Sequence, residues 1–463
     1  MNTPPIFSFD RGSLVTASKE WNVEVESCAG AKFKYDERTQ EYRALAMDYG
    51  PIVLALHRNK IPYCDEAKQF SPQPFTLRNS HPPRPYQQEA LVAWKKAKSK
   101  GCIILPTGSG KSFVALLAIE HIKRNTLIIV PTLDLMSQWA VIIKNAFGFE
   151  PGLWGGGEKS TAPITISTYD SAAIHMEHLG HHFGLLIADE CHHLPGPTYQ
   201  WCAKMCIAPY RLGLSATPER SDGGEIILQE LMGPICYTAS IQDLRGEYLS
   251  EYQTHQIEVP LEEKELQEYK DARKIYSQFL RDEHIDFSGG AGSWQDFLGI
   301  CFKSEAGRKA YKAWRTQKEI MRSSNSKLQK LWELIVQHKH SRIIIFTDDN
   351  ATAYKIGETF CLPVITHQTK MKERKAFMEA FKDGTFPYLV TSKVLNEGVD
   401  VPEANIGIVV SGSGSVREHV QRLGRILRKS QSGSALLYEL ISEGTSEFFQ
   451  SKRRRKHQAY KNR

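Results

Sequence analysis

The apolar run Ile103-Ile104-Leu105 passes through Pro106-Thr107 into Gly108-Ser109-Gly110-Lys111-Ser112, and then into the apolar stretch Phe113 to Ile122. No other feature restricts the fold as tightly. Cys102 to Leu105 has the length and composition of a buried strand, and the stretch after Ser112 that of a helix. The two glycines let the backbone turn with its amides facing inward. The helix N-terminus adds a partial positive charge, so the unit is built to hold phosphate. Thr107, Gly108, Ser109 and Gly110 form the cradle, Lys111 can reach terminal phosphates, and the Ser112 hydroxyl can ligate Mg2+. Leu105 stands where the pattern G-x-x-x-x-G-K-[ST] has its first glycine.

A second buried-strand run, Leu185-Leu186-Ile187-Ala188, delivers Asp189 and Glu190 to its C-terminal end. Ligands of open parallel sheets gather at that edge. There Asp189 would hold the metal, and Glu190 would orient and deprotonate an attacking water. Far downstream comes Gln421-Arg422-Leu423-Gly424-Arg425-Ile426-Leu427-Arg428. Arg425 and Arg428 are three apart and share a face if the segment is helical. Offered across a cleft, they would neutralise charge developing on a γ-phosphate, with Gln421 placing the water. A phosphate cradle, an acidic pair and a pair of arginines together describe nucleotide hydrolysis.

Apolar runs at 102–105, 127–130, 164–167, 185–188 and 212–214 alternate with helical stretches, which predicts a parallel sheet spanning residues 81–250. The alternation resumes over 325–450, with strands at Ile343–Phe346, Leu389–Thr391, Ile406–Val410 and Ala435–Tyr438 but no second phosphate loop. Residues 1–80 end in proline-rich connections and form a separate small module, with strands expected at Lys32–Tyr35 and Ile52–Leu56. Between the sheets, 261–324 reads as helical. Residues 261–296 carry five basic and nine acidic side chains, whereas 297–323 carry seven and two. The glycine-rich joint Ser288–Ser293 suggests an acidic and a basic helix forming a hairpin. Lys309, Lys312 and Arg315 alternate with Phe302, Tyr311 and Trp314, a mixture suited to phosphate contact and base stacking.

The formal charge of +7 is no evidence of nucleic-acid binding by the folded part, because the tail 451–463 alone holds seven Lys or Arg and no acid. Nine cysteines without C-x-x-C pairs suit reduced thiols, and the Cys191–Cys206 and His175–His182 clusters fit no common zinc module. No apolar run approaches a membrane span and the N-terminus has no export signal, so the expected setting is intracellular, cytoplasmic or nucleoid, or nuclear in a eukaryote.

With these residues in view, the chain resembles superfamily-two helicases, and within them the XPB family of archaeal type. Glu190-Cys191-His192-His193-Leu194-Pro195, Ser392-Lys393 and Gln421 to Arg428 carry the XPB likeness. Arg84-Pro85-Tyr86-Gln87-Gln88 resembles the adenine-reading motif, implicating Arg84 and Gln87. The segments at Thr132 and Thr168 resemble strand-contacting motifs, and Ser215-Ala216-Thr217 resembles the coupling motif. Thr391 to Ala404 resembles motif V, placing Lys393 by nucleic acid and Glu397, Gly398 and Asp400 by the nucleotide. XPB proteins read Arg-Glu-Asp where this chain has Arg220-Ser221-Asp222, with Arg220 and Asp222 facing DNA.

The resemblance implies an α/β fold. Two RecA-like parallel-sheet motor domains are expected, with a damage-recognition-like N-terminal domain and a helical thumb insertion. It also implies ATP and Mg2+ as cofactors, and 3′→5′ movement on forked or single-strand/duplex junction DNA. The protein would work as a monomeric motor in excision repair or transcription, beside a nuclease or other repair proteins. A duplex translocase that separates no strands, or an RNA-dependent ATPase, would share most of these motifs.

Overall fold

The computed structural model describes residues 4–21, 23–78, 82–216, 223–244, 252–285, 291–392, 404–412 and 435–454. It divides into two compact units, Met1–Leu244 and Arg245–Arg463. Among the described residues no helix is long and apolar enough to cross a membrane.

The first unit opens with a small mixed sheet of β1 (Ile6–Asp10), β2 (Ser13–Ala17), β3 (Lys34–Asp36), β4 (Glu41–Leu45) and β5 (Cys64–Asp65), in the order β3-β4-β2-β1-β5. Its core gathers Phe7, Leu14, Val25, Ile52 and Leu56. Two sequence expectations shift here. The strand near Lys32 begins only at Lys34, because Gly30–Lys32 is a short 3-10 turn. Ile52–Leu56 is not a strand but lies in the helix Tyr49–Arg58. Tyr49, Ile52 and Leu56 share its buried face, while Leu54 stays 56% exposed. A five-residue apolar run cannot tell strand from helix. The β1–β2 turn places Arg11 and Gly12 at φ 44° and 79°. A Cβ on Gly12 would come within 2.4 Å of the Met205 side chain, so glycine lets this domain seat closely on its neighbour.

That neighbour is an eight-stranded sheet of β6 (Lys100–Ile104), β7 (Thr126–Val130), β8 (Gly152–Gly155), β9 (Glu158–Lys159), β10 (Ile164–Thr168), β11 (Leu185–Asp189), β12 (Tyr210–Ser215) and β13 (Ile235–Thr238). The order is β13-β6-β12-β11-β7-β10-β8-β9, parallel except at β8–β9. All five anticipated strands are present at its centre. β8, β9 and β13 carried no apolar run, and β13 is half-exposed. The guanidinium of Arg211, 1% exposed, donates to four backbone carbonyls, of Ala203, Cys206, Ala208 and Leu231, at 2.7–3.1 Å. It thereby binds the loop before β12 to the helix Glu225–Met232. The stretch His175–His182 is partly buried. Met176 and Leu179 enter the core, and the His181 ring lies 4.5 Å from that of Phe9.

The second unit contains a six-stranded all-parallel sheet of β14 (Tyr252–Val259), β15 (Ile343–Phe346), β16 (Val364–Ile365), β17 (Tyr388–Thr391), β18 (Ile406–Val409) and β19 (Ala435–Ser442), ordered β14-β19-β18-β15-β17-β16. β14 was not anticipated. Its mixed polar sequence suits an edge, where it pairs with β19 over eight residues. Between β14 and β15 run the helices Glu263–Asp282, Ala291–Lys303 and Glu305–Ser323. The single basic helix expected there is in fact two. Ser304 caps the second by accepting from the Gly307 N–H at 2.9 Å. A Cβ on Gly307 would meet the Cys301 backbone at 2.5 Å. Ala291–Ser293, read as part of a flexible joint, are helical, and 286–290 lie outside the described residues. Lys327, fully buried, donates to Met321 O, Val410 O and Glu447 Oε2 at 2.9, 2.8 and 2.6 Å, locking the start of helix Asn325–Gln337 to β18 and to the C-terminal helix.

Candidate active site

The phosphate loop follows β6 directly. Gly108 and Gly110 take φ of 84° and 82°, and Gly110 caps helix Lys111–Ile122 with no side chain spent on the cap, leaving that helix end to a ligand. Lys111 Nζ sits 3.4 Å from Leu105 O and 3.9 Å from Glu190 Oε1. The Leu105 that broke the glycine pattern thus presents a carbonyl to the lysine while its side chain is fully buried. Register aligns the C-terminal ends of the central strands. Ile104 pairs with Ser215, Asp189 with Leu214 and Val130 with Thr168. The cradle and the acidic pair therefore share one sheet edge.

Asp189 is buried, and its carboxylate accepts from the Trp139 indole N–H at 2.9 Å and from the Glu190 N–H at 3.0 Å. Burial, then the neighbouring Glu190 charge, pushes its acid group up to about 6, against the pull of Lys111. Glu190 adopts a left-handed backbone, φ 48° and ψ 52°, a costly conformation for a non-glycine residue at an active site. Its Oε2 lies 3.5 Å from His192 Nδ1, which is 3.1 Å from the Ser215 hydroxyl. The acidic motif is thereby wired to the Ser215 motif at the end of β12.

Several of the expected site residues also make bonds within the protein. Ser109 is fully buried, and both its hydroxyl and its N–H turn to Pro106 O, at 2.7 and 3.3 Å. These bonds stiffen the loop. Gln87 is 4% exposed and braces the loop, donating to Ser109 O and Gly110 O at 3.2 and 3.3 Å while accepting from the Arg84 N–H at 3.0 Å. The Tyr86 hydroxyl joins it on Ser109 O. Arg84 caps helix Pro85–Lys96, its guanidinium on the Tyr86 hydroxyl at 3.2 Å. Thr132 and Thr168 act as helix N-caps, accepting from the Leu135 and Ser171 N–H groups. Lys309 pairs with Glu305 at 2.8 Å. Lys312 and Arg315 are exposed on the same helix. Arg220, Asp222, Lys393, Glu397, Gly398, Asp400, Gln421, Arg425 and Arg428 lie outside the described residues.

Sequence reasoning missed Trp139 and Tyr169. The latter's hydroxyl donates to Asp189 O at 3.0 Å. The only signal for Trp139 was an aromatic with a polar edge on the apolar face of helix Leu133–Phe147, fifty residues from its partner.

ATP and Mg2+ fit these residues. The cradle glycines already hold the required φ, and the Thr107 hydroxyl is buried without a hydrogen-bond partner among the described residues. Ser112 and Asp189 supply the hard oxygen donors that Mg2+ prefers.

Comparison with known proteins accounts for nearly the whole chain. Residues 7–67 match the Xeroderma pigmentosum group B helicase damage recognition domain, 80–220 the type III restriction enzyme res subunit, and 305–461 the ERCC3/RAD25/XPB C-terminal helicase. The chain is 40% identical over 422 residues to the DNA 3′-5′ translocase XPB2 of Sulfurisphaera tokodaii, covering 91% of this chain and 95% of that protein. It is 30% identical over 378 residues to the DNA 3′-5′ helicase XPB of Kineococcus radiotolerans, covering 79% of this chain and 60% of the relative. The crystal structure of the Pyrococcus furiosus Hef helicase domain shares the fold, with a TM-score of 0.50 and 21% identity over 80% of this chain and 98% of that one. The chain belongs to the XPB helicase family.

Proposed function

We propose that this protein is an ATP-driven DNA motor that moves 3′→5′, opening or translocating along duplex DNA in excision repair or transcription. The observation that carries the reading is the meeting of Lys111 with Glu190 at 3.9 Å, beside a buried Asp189, at the edge where the phosphate loop ends. The loop amides and helix N-terminus would bind the phosphates, with Lys111 neutralising the terminal one. Mg2+, held by Ser112 and Asp189, would supply charge neutralisation to the transferring phosphoryl group. Glu190 would orient and deprotonate water, and His192 and Ser215 would pass the site's state to the next strand. Gln421, Arg425 and Arg428 would complete the charge cage, with Glu397, Gly398 and Asp400 on the nucleotide. Relatives are named both as helicase and as translocase, so strand separation is a distinct question from movement.

Lys111→Ala should abolish DNA-stimulated ATP hydrolysis while leaving nucleotide-free DNA binding intact; wild-type turnover in the variant would overturn the assignment. Assaying stimulation by forked, single-stranded and duplex DNA against RNA, with strand separation followed in parallel, separates helicase, translocase and RNA-dependent ATPase.

A further inference from the structure

Away from the nucleotide site, the second unit holds a groove of about 340 Å3 between helix Glu305–Ser323 and the start of helix Asn350–Phe360. One wall is aromatic. The Tyr311 and Trp314 rings lie 5.8 Å apart and only 19° from parallel, with Trp294 behind Trp314 at 4.8 Å. The rest is ionic, and half of its charged residues are already committed. Arg322 pairs with Asp348 and Asp349 at 2.6 and 3.3 Å. Asp349 also caps the second helix through Thr352. Lys355 donates to Ser323 O at 2.9 Å. Arg315, Lys318 and Glu319 remain, lining the groove without a side-chain hydrogen bond or ion pair among the described residues, so the uncommitted charge is net positive. Lys318 is half-buried beside Arg322, and burial pulls its ammonium pKa down, so an anion there would relieve a real electrostatic cost.

We propose that this groove holds one nucleotide unit of a single DNA strand, its base against Tyr311 and Trp314 and its phosphate between Arg315 and Lys318. The inference rests on the reading of the chain as a DNA motor, and it assigns the strand state and the contacts. A base within a duplex cannot offer its face to such a wall, whereas an unpaired base can, and stacking accepts any sequence. An acidic peptide would use the two cations and leave the rings idle. The groove also divides the basic residues of this helix. At ~100° per residue, Lys309 and Lys312 lie at least ~120° around the axis from Lys318, outside the groove.

The test uses the full chain without nucleotide, and fluorescence anisotropy of labelled oligothymidylate and of a labelled blunt duplex. Arg315→Gln with Lys318→Gln should weaken oligothymidylate binding about tenfold and make its salt dependence shallower by about 0.7 in log–log slope, one phosphate's worth. Lys309→Gln with Lys312→Gln should change it less than about twofold. Tyr311→Leu should weaken the single strand and spare the duplex. A loss confined to the Lys309/Lys312 pair, an unchanged Arg315/Lys318 pair, or equal weakening of single strand and duplex would overturn the proposal. Wild-type ATPase activity that DNA fails to stimulate would instead overturn the motor reading, since the binding assay involves no turnover.

Discussion

The Trp139 indole is the group to perturb if the acidic motif works as the geometry says. Trp139 is 1% exposed, and its N–H donates to Asp189 Oδ2 at 2.9 Å. That bond favours the ionised carboxylate, opposing the burial that pushes Asp189 up to about 6. Trp139→Phe keeps an aromatic ring and deletes the donor. A hydrogen bond to a charged group contributes about 1.5–3 kcal/mol, which at 1.36 kcal/mol per tenfold moves the acid limb of the ATPase profile up by about one to two pH units. The expected loss is roughly two- to tenfold at pH 7, largely recovered by pH 9. DNA-stimulated hydrolysis from pH 5 to 9 at limiting Mg2+, where protons compete with the metal for Asp189, measures it, the displacement between variant and wild type being the readout. Stability must follow. Because Asp189 is raised from 3.8 to about 6, the folded protein keeps a proton that the unfolded chain releases. Stability therefore falls by about 3 kcal/mol as pH rises through that window. In the variant the fall should continue above pH 6, seen as a Tm that keeps dropping with pH. Superimposable acid limbs in a folded variant would refute the claim that the indole tunes this carboxylate.

Two further expectations concern the framework. Arg211→Met strands four buried carbonyls and should cost the first unit at least ~3 kcal/mol, read from denaturant unfolding; a loss under ~1 kcal/mol would mean those carbonyls find other donors. Lys327→Met removes the ammonium from the buried Glu447 carboxylate and should cost about 3–5 kcal/mol, whereas adding Glu447→Gln should recover at least half, which a thermal double-mutant cycle decides.

What the sequence made legible, and what it hid, divides along the range of the interactions involved. Strands buried on both faces announce themselves as apolar runs, so β6, β7, β10, β11 and β12 were readable to within about two residues at their ends. The phosphate loop was readable because glycine φ values and a helix start are local facts. Edge strands were not, since β13 and β14 owe their existence to partners 133 and 183 residues away at the registers Ile235–Cys102 and Tyr252–Ala435, rather than to their own composition. The same limit governs side-chain roles. Ser109 and Gln87 occupy positions that a motif assigns to the ligand, yet their hydrogen bonds go to the loop itself. Trp139 occupies none and holds the Asp189 carboxylate. A motif names the residues that meet at a site. Which of them touch the ligand and which keep the others in place depends on donors and acceptors brought together by the sheet, and here the loop's rigidity comes from Tyr86, Gln87 and Ser109 acting on three carbonyls, Pro106 O, Ser109 O and Gly110 O. Such bracing makes the loop a preformed cradle, so binding energy need not be spent ordering it.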